Sequence, residues 1–235
     1  MTDLSQPRPE AKHKPIRSYV IRSGRMTDSQ KHSFDRHWRQ YGLSLHDGAF
    51  DAMQTFGRQA PLIVEIGFGM GDTLLEMAQA APTSDFIGIE VHPPGIGRLI
   101  NLAAKNQVDN LRVYMADAND VLADCIADNS IGRVQIFFPD PWHKKKHHKR
   151  RLVQQNFIEL IATKLERGGV LHLATDWEPY AKQMLTLLDG NIKLRNLAGH
   201  GSYSPRPSYR PVTKFERRGA GLGHGVWDLL FERLA

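Results

Sequence analysis

The sequence predicts an α/β fold with a mostly parallel sheet, and three observations carry that prediction. Five short apolar runs recur through the middle of the chain: LIVEIGF (62–68), DFIGIEV (85–91), LRVYM (111–115), RVQIFF (133–138) and GGVLHLAT (168–175). Segments of helical length separate them, at 72–81, 94–106, 118–127 and 150–166. A glycine turn, GFGMG, closes the first run and opens the first of those helices. Strands that are apolar throughout are buried on both faces, as in a parallel sheet whose right-handed crossovers place helices on both sides.

Taken in order, residues 1–25 are Pro-rich, polar and basic, and read as a flexible arm preceding a single domain over 26–235. Residues 27–56 suggest one helix and a connector. Strands and helices then alternate to residue 175, followed by a helix at 178–188, a weak strand near 192–197 and a last strand in VWDLLFERL. Between those two strands lies GHGSYSPRPSYRPVTKFERRGAGLGHG, a loop long enough to suggest function. No apolar run approaches a membrane span and the N-terminus lacks a secretory h-region, which points to a cytoplasmic protein with no membrane partner. The one cysteine, Cys125, excludes an intrachain disulfide framework and reads as a small core residue. Monomer and homodimer are both compatible with the sequence.

The glycine turn indicates what the sheet carries. Gly67, Gly69 and Gly71 permit positive φ and close approach of backbone to a ligand. The spacing is G-x-G-x-G, and Asp72 stands where a dinucleotide fingerprint would have its third glycine. With Glu65 before the turn, the local charge disfavours pyrophosphate and favours a cationic ligand. S-adenosylmethionine fits, because its sulfonium and amino group are cationic and it has no phosphate. Glu90 ends the second strand, 19 residues beyond Gly71, where an acid can take both ribose hydroxyls. After the third strand, Asp117 is placed either to reach an adenine amino group or to cap a helix.

The fourth strand ends in FFPDPW and runs directly into nine consecutive Lys, Arg or His residues, 143–151. Pro139 and Pro141 restrict the backbone on both sides of Asp140 and so aim its carboxylate. Phe138 or Trp142 offers a stacking face. The net charge of +6 is unevenly placed: residues 1–25 hold six Lys/Arg against two acids, and 143–151 hold six with none. That asymmetry implies a polyanion, with phosphates held beside a crevice that a base enters. His143, His147 and His148 lack nearby Cys or carboxylate ligands and sit among cations, so no metal is expected.

At EIGFGMG (65–71), GIEVH (88–92), FFPDPWHK with KRR (149–151), ATDWEPYA (174–181), RPVTKFERRG and GHGVWDL, the chain resembles the bacterial tRNA (guanine-N7)-methyltransferases over most of 16–235. The resemblance implies a class I S-adenosylmethionine-dependent methyltransferase fold, Rossmann-like, with a seven-stranded sheet. It implies methylation of a variable-loop guanine (position 46) of tRNA. By motif, Glu65, Gly67, Gly69, Gly71, Glu90, Asp117 and Asp140 would contact the cofactor, with Asp140 also catalytic. Lys144, Asp176, Thr213, Lys214, Phe215 and Glu216 would hold the substrate. Lys146, His147, His148, Lys149, Arg150 and Arg151 would contact RNA. Lys146 departs from the family, which more often has Arg there, so charge is kept but a bidentate fork is not. A small-molecule methyltransferase would lack the basic run. A nicotinamide dehydrogenase would have the third glycine, and an RNA binder without catalysis would have lost the acids.

Overall fold

The computed structural model describes residues 17–19, 27–213, 216 and 225–234. After helix α1 (Asp28–Tyr41) come a two-residue strand β1 (Gly42–Leu43), a 3-10 turn and the short helix α2 (Ala52–Phe56). Strands β2 (Leu62–Ile66), β3 (Asp85–Glu90), β4 (Leu111–Met115), β5 (Ile131–Phe137) and β6 (Leu165–Thr175) alternate with helices α3 (Asp72–Ala80), α4 (Pro93–Lys105), α5 (Ala118–Asp124) and α6 (Gln155–Lys164). Helix α7 (Glu178–Asp189), β7 (Leu194–Asn196) and β8 (Trp227–Arg233) complete the described chain. All seven strands expected from the sequence are present, and β1 adds an eighth at the edge. The basic run does not begin a helix at 150 as expected: Lys145–Arg150 is a 3-10 segment, and α6 starts at Gln155.

The sheet order is β1-β4-β3-β2-β5-β6-β8-β7, parallel except where β8 runs antiparallel to β6 and β7. From β2 the chain steps outward through β3 to β4, then returns to place β5 on the other side of β2. The C-terminal ends of β2 and β5 therefore flank the point where strand order reverses, the place at which open α/β sheets hold ligands.

Alternation along β2 explains the core. Leu62, Val64 and Ile66 face one buried cluster with Val121, Phe157, Ile161 and Met184, from α5, α6 and α7. Ile63 faces a second cluster with Leu74, Ile96, Leu99 and Ile100, from α3 and α4. Each fully buried side chain of this size contributes about 1.5–3 kcal/mol. Cys125 is buried at the end of α5, as expected of a core residue. Among the described residues, no helix is long and apolar enough to cross a membrane.

One polar file interrupts these apolar strands. Glu65, Gln135 and His172 occupy matching positions on β2, β5 and β6, and all three are buried. They are tolerated because they bond to one another or to the loop that covers them, as described below.

Candidate functional site

The turn after β2 is built as its glycines require: Gly67, Gly69 and Gly71 have φ of 76°, 58° and 78°. An ideal Cβ on Gly67 or Gly69 would meet nothing within 4 Å, so both face open space. Gly71 caps α3, and its N–H donates to the Phe68 carbonyl at 3.0 Å. The turn is locked to β3 through Glu90, whose Oε2 accepts from the Gly69 N–H at 2.9 Å. Glu90 Oε1 accepts from the N–H groups of Val91 (2.6 Å) and His92 (3.0 Å). Three backbone donors thus fix an acid at the end of β3, with a lone pair of Oε2 remaining for a ligand hydroxyl.

Two adjoining cavities lie over the strand ends. One, of about 230 Å³, is lined by Gly67, Glu90, Asp117, Phe138 and Asp140, among others. The second, of about 380 Å³, is lined by Glu65, the glycine turn, Phe137, Phe138 and Thr213. Phe137 and Phe138 border both. The structure therefore gathers Glu65, Gly67, Gly69, Gly71, Glu90, Asp117, Asp140 and Thr213 around one crevice, drawn from four strand ends and the long loop.

Two electrostatic details refine the expectation. Asp72, counted with the charges that disfavour pyrophosphate, is paired with Arg98 at 2.6 Å, and the same guanidinium donates to the Met70 carbonyl at 3.0 Å. Its charge is offset, so the preference for a cation rests on Glu65 and Glu90. Glu65 is 2% exposed and accepts from the Gln135 amide at 2.9 Å. Burial pushes its carboxyl up to about 7, against the opposing influence of Gln135 and Arg133. A folded-state value above the ordinary 4.5 means that Glu65 favours folding most below pH 4.5, and that this contribution is lost as pH rises through 7.

Asp117 caps α5 and at the same time lines the smaller cavity. Its Oδ1 accepts from the Asn119 N–H at 2.9 Å, and its charge helps to raise the Tyr19 hydroxyl above the usual phenol value, after burial. Ser18 and Tyr19 line the smaller cavity, and the Ser18 carbonyl accepts from Trp142 Nε1 at 3.2 Å. This part of the arm therefore lies on the crevice; the remainder of 1–25 lies outside the described residues.

The FFPDPW turn is held more tightly than its prolines alone would hold it. Phe138 and Trp142 adopt φ of 53° and 47°, a left-handed backbone that is strained for bulky residues. The Phe138 N–H donates to the Ala174 carbonyl at 2.8 Å, and the Pro141 carbonyl accepts from Arg151 Nε at 2.8 Å. Asp140, between these anchors, is exposed to the crevice.

Beyond it the basic run splits. Lys144, Lys146 and Lys149 are exposed, and Arg150 lies 5.1 Å from the Trp142 ring. His147 is held below the usual imidazole value by partial desolvation and by Lys146, Arg150, Lys144 and Lys149 around it, so lysines and arginine carry the positive charge. The three histidines turn to separate partners: His143 to Trp177, His147 to Trp142, and His148 to Arg151. Arg151 corrects an expectation. It is 3% exposed, donates to Pro141, bonds Gln183 and His148, and lies 4.6 Å from the Tyr180 ring, so it braces the turn and does not face RNA.

These two roles separate experimentally. Replacing Lys149 and Arg150 by Ala is expected to flatten the salt dependence of RNA binding by about 0.7–0.9 log units per lost phosphate contact. Arg151→Ala is expected instead to lower stability by about 2–3 kcal/mol, through the lost charge-assisted bond to the turn. Binding titrations across salt, paired with denaturant unfolding, read both; an Arg151 variant that unfolds normally but loses slope would reverse the assignment.

Among the expected substrate residues, Asp176 is exposed just after β6 and lines neither cavity. Lys214 and Phe215 lie outside the described residues. Thr213 and Glu216 form a capping box: Thr213 N–H donates to Glu216 Oε2 at 2.7 Å, and Glu216 N–H donates to Thr213 Oγ1 at 3.1 Å. Glu216 is further engaged by both terminal nitrogens of Arg210, at 2.8 and 2.7 Å, so its carboxylate builds the loop.

Comparisons with known proteins bear on this site. A family model described as "Putative methyltransferase" matches residues 59–229. The chain is 62% identical to the tRNA (guanine-N(7)-)-methyltransferase of Saccharophagus degradans, over 96% of this chain and 98% of that one. It is 56% identical to the protein of the same name from Ectopseudomonas mendocina and 53% identical to that from Marinobacter nauticus, each match covering 99% of both chains. Among solved structures, the 16S rRNA methyltransferase KamB aligns with a TM-score of 0.51 at 13% identity, over 92% of this chain and 99% of that one. The aminoglycoside resistance methyltransferase NpmB1 aligns with a TM-score of 0.50 at 16% identity, over 93% and 98%. At such identities these two likenesses concern the fold alone.

Proposed function

The chain belongs to the tRNA (guanine-N(7)-)-methyltransferase family, and we propose that it transfers a methyl group from S-adenosylmethionine to N7 of a variable-loop guanine, position 46, in tRNA. It is a methyltransferase, and its fold is that of the class I S-adenosylmethionine-dependent enzymes. The observation that carries the finer reading is the continuity of acid-lined crevice and basic ridge through one braced turn. Asp140 borders the crevice, and Lys144 begins the ridge four residues later.

The residues present suit the cofactor. Glu65 is a buried acid whose nearest polar partner is a neutral amide, so a cationic group beside it would relieve the desolvation of its charged form. Glu90 is held by three backbone donors at the position from which an acid takes ribose hydroxyls. Among the described residues, neither cavity combines a glycine turn with a cation suited to pyrophosphate. Bound there, S-adenosylmethionine supplies an electrophilic methyl group.

The protein's own contribution is chiefly alignment and charge. Guanine N7 is a neutral lone pair with no proton to lose, so no strong base or covalent nucleophile is required, and holding it in line accounts for much of the acceleration. The methylated base becomes cationic, and the Asp140 carboxylate stands where it can stabilise that developing charge. Phosphates on the ridge of Lys144, Lys146, Lys149 and Arg150 position the RNA without reading its sequence. The cytoplasm, where tRNA is modified in bacteria, is the compartment this reading implies.

Methyl transfer from labelled S-adenosylmethionine to unmodified bulk tRNA, followed by chemical cleavage at 7-methylguanine, tests the proposal. Label at a variable-loop guanine is expected. Label at another RNA or another base would overturn it. A second consequence concerns protons: cofactor binding just below pH 7 should release a proton, because a cation beside Glu65 lowers a carboxyl that burial holds at about 7. Calorimetry in two buffers of different ionisation enthalpy reads that proton, and Glu65→Gln should abolish its release.

A further inference from the structure

Arg210 is the largest fully buried side chain described, 1% exposed. It opens the RPVTKFERRG stretch without being one of the residues expected to hold cofactor or substrate, and its guanidinium is shared between two carboxylates. Nε and Nη2 donate to Asp228 at 2.8 and 2.9 Å, while Nη1 and Nη2 donate to Glu216 at 2.8 and 2.7 Å. Burying a cation with two acids costs several kcal/mol per ion in desolvation, and an apolar replacement of similar volume is often no less stable. Stability alone therefore gives little reason for this cluster.

What the cluster does is bring three stretches of the site to one reference point. Glu216 closes the Thr213 capping box, and Thr213 lines the larger cavity. Asp228 sits on β8 opposite Ala174 of β6, two residues before Asp176. The guanidinium also lies 5.7 and 5.8 Å from the rings of Phe137 and Phe138, which lead into Asp140. Asp228 is itself pinned from the sheet, since His172 Nε2 lies 2.7 Å from Oδ1 and His172 Nδ1 lies 2.9 Å from the Tyr209 hydroxyl. A single neutral tautomer, Nε2–H toward Asp228 and Nδ1 accepting from Tyr209, satisfies both bonds.

We propose that Arg210 is a positioning residue for methyl transfer: by holding Glu216 and Asp228 at once, it sets Thr213 and Glu216 in register with the Asp140 turn. The inference rests on the function proposed above. Burial alone would raise both carboxyls, but the Arg210 fork holds Glu216, and the His172 hydrogen bond together with the Arg210 fork holds Asp228, below the ordinary range. The clamp therefore stays charged throughout the neutral pH range.

Lysine keeps the charge but cannot span two carboxylates, so Arg210→Lys isolates the fork. With cofactor and tRNA saturating, kcat is expected to fall by about 100-fold, while KM for tRNA and affinity for S-adenosylmethionine stay near wild type. Glu216→Gln should cause a similar fall, and the double variant should fall no further, because both changes break one device. Losses that multiply, or single variants that fold and turn over at the wild-type kcat, overturn the proposal. Should Arg210→Lys not fold, Asp228→Asn takes its place beside Glu216→Gln. Hydrogen exchange at the Thr213 amide supplies a readout free of turnover: protected in the wild type and exposed in the variants if the clamp holds the loop, and equal in both if it does not. A wild-type enzyme that methylates no tRNA yet shows the protection difference counts against the function and not against the clamp.

Discussion

Replacing Asp140 by Ala is expected to lower methyl transfer to tRNA by about 100-fold or more, with tRNA affinity and its salt dependence nearly unchanged. The expectation follows from how the turn is built. Its anchors are the Phe138 N–H on β6, the Pro141 carbonyl on Arg151 and the Trp142 indole on the arm. None of them uses the Asp140 side chain, so truncation leaves the backbone path and the basic ridge in place. What is lost is the one carboxylate at the junction of crevice and ridge. Asp140→Asn separates the remaining possibilities, because it keeps shape and hydrogen-bonding capacity while removing charge. If Asn restores most of the rate, the side chain orients the base by a hydrogen bond; if Asn is as poor as Ala, its charge is what matters. Rates are to be read with both substrates saturating, alongside binding titrations across salt. Near-normal turnover of Asp140→Ala would remove it from the mechanism.

Much of this site was legible in the sequence because its parts are local. A glycine turn between an apolar run and a helix is visible as letters in a row, and so is an acid at the end of the next run. The FFPDPW turn announces itself by its prolines. Arg151 was misread for the same reason: as the last of nine basic residues it looked like a continuation of the ridge. Only the fold shows that the 3-10 segment ends there and that the next residues turn inward, burying the guanidinium against Pro141, Gln183 and Tyr180. Asp72 was likewise counted among the charges that disfavour pyrophosphate, because its partner Arg98 lies in the next crossover helix, α4.

The Arg210 cluster could not be read locally, because its members lie on β6, β8 and two stretches of the long loop. A signal existed nonetheless. Glu65, Gln135 and His172 are polar residues set inside three separate apolar strand runs, and a buried polar group requires partners. With parallel register they fall into one file across β2, β5 and β6. That file lies on the face that Tyr209 and Arg210 help to cover beside α3, with Arg133 3.9 Å from the Tyr209 ring, its Nε donating to Gln135 at 3.1 Å, and Met77 of α3 beside the same amide. The sequence thus marks where polar contacts must be made, and the topology decides with whom.

Gly95→Ala is expected to reduce both stability and cofactor affinity, against what its position in a helix would suggest. Gly95 lies in the first turn of α4, where Ala would ordinarily be favoured by up to about 1 kcal/mol. Here an added Cβ would stand 1.9 Å from the Gly69 carbonyl oxygen and 2.9 Å from its carbon. Both are backbone atoms, so relief requires moving either the helix or the glycine turn, at a cost of about 1–3 kcal/mol for overpacking. Gly69 is the residue whose N–H holds Glu90 Oε2. Displacing it both opens the turn and releases the acid read as the ribose ligand, so affinity for S-adenosylmethionine should fall by about tenfold or more, equivalent to about 1.4 kcal/mol. Gly190→Ala serves as the control. Gly190 ends α7 at ordinary negative φ, and a Cβ there meets nothing closer than 3.4 Å. Denaturant unfolding and calorimetric titration of the two variants decide the matter: if Gly95→Ala matches Gly190→Ala in both, the close approach of α4 to the glycine turn is not what shapes the crevice.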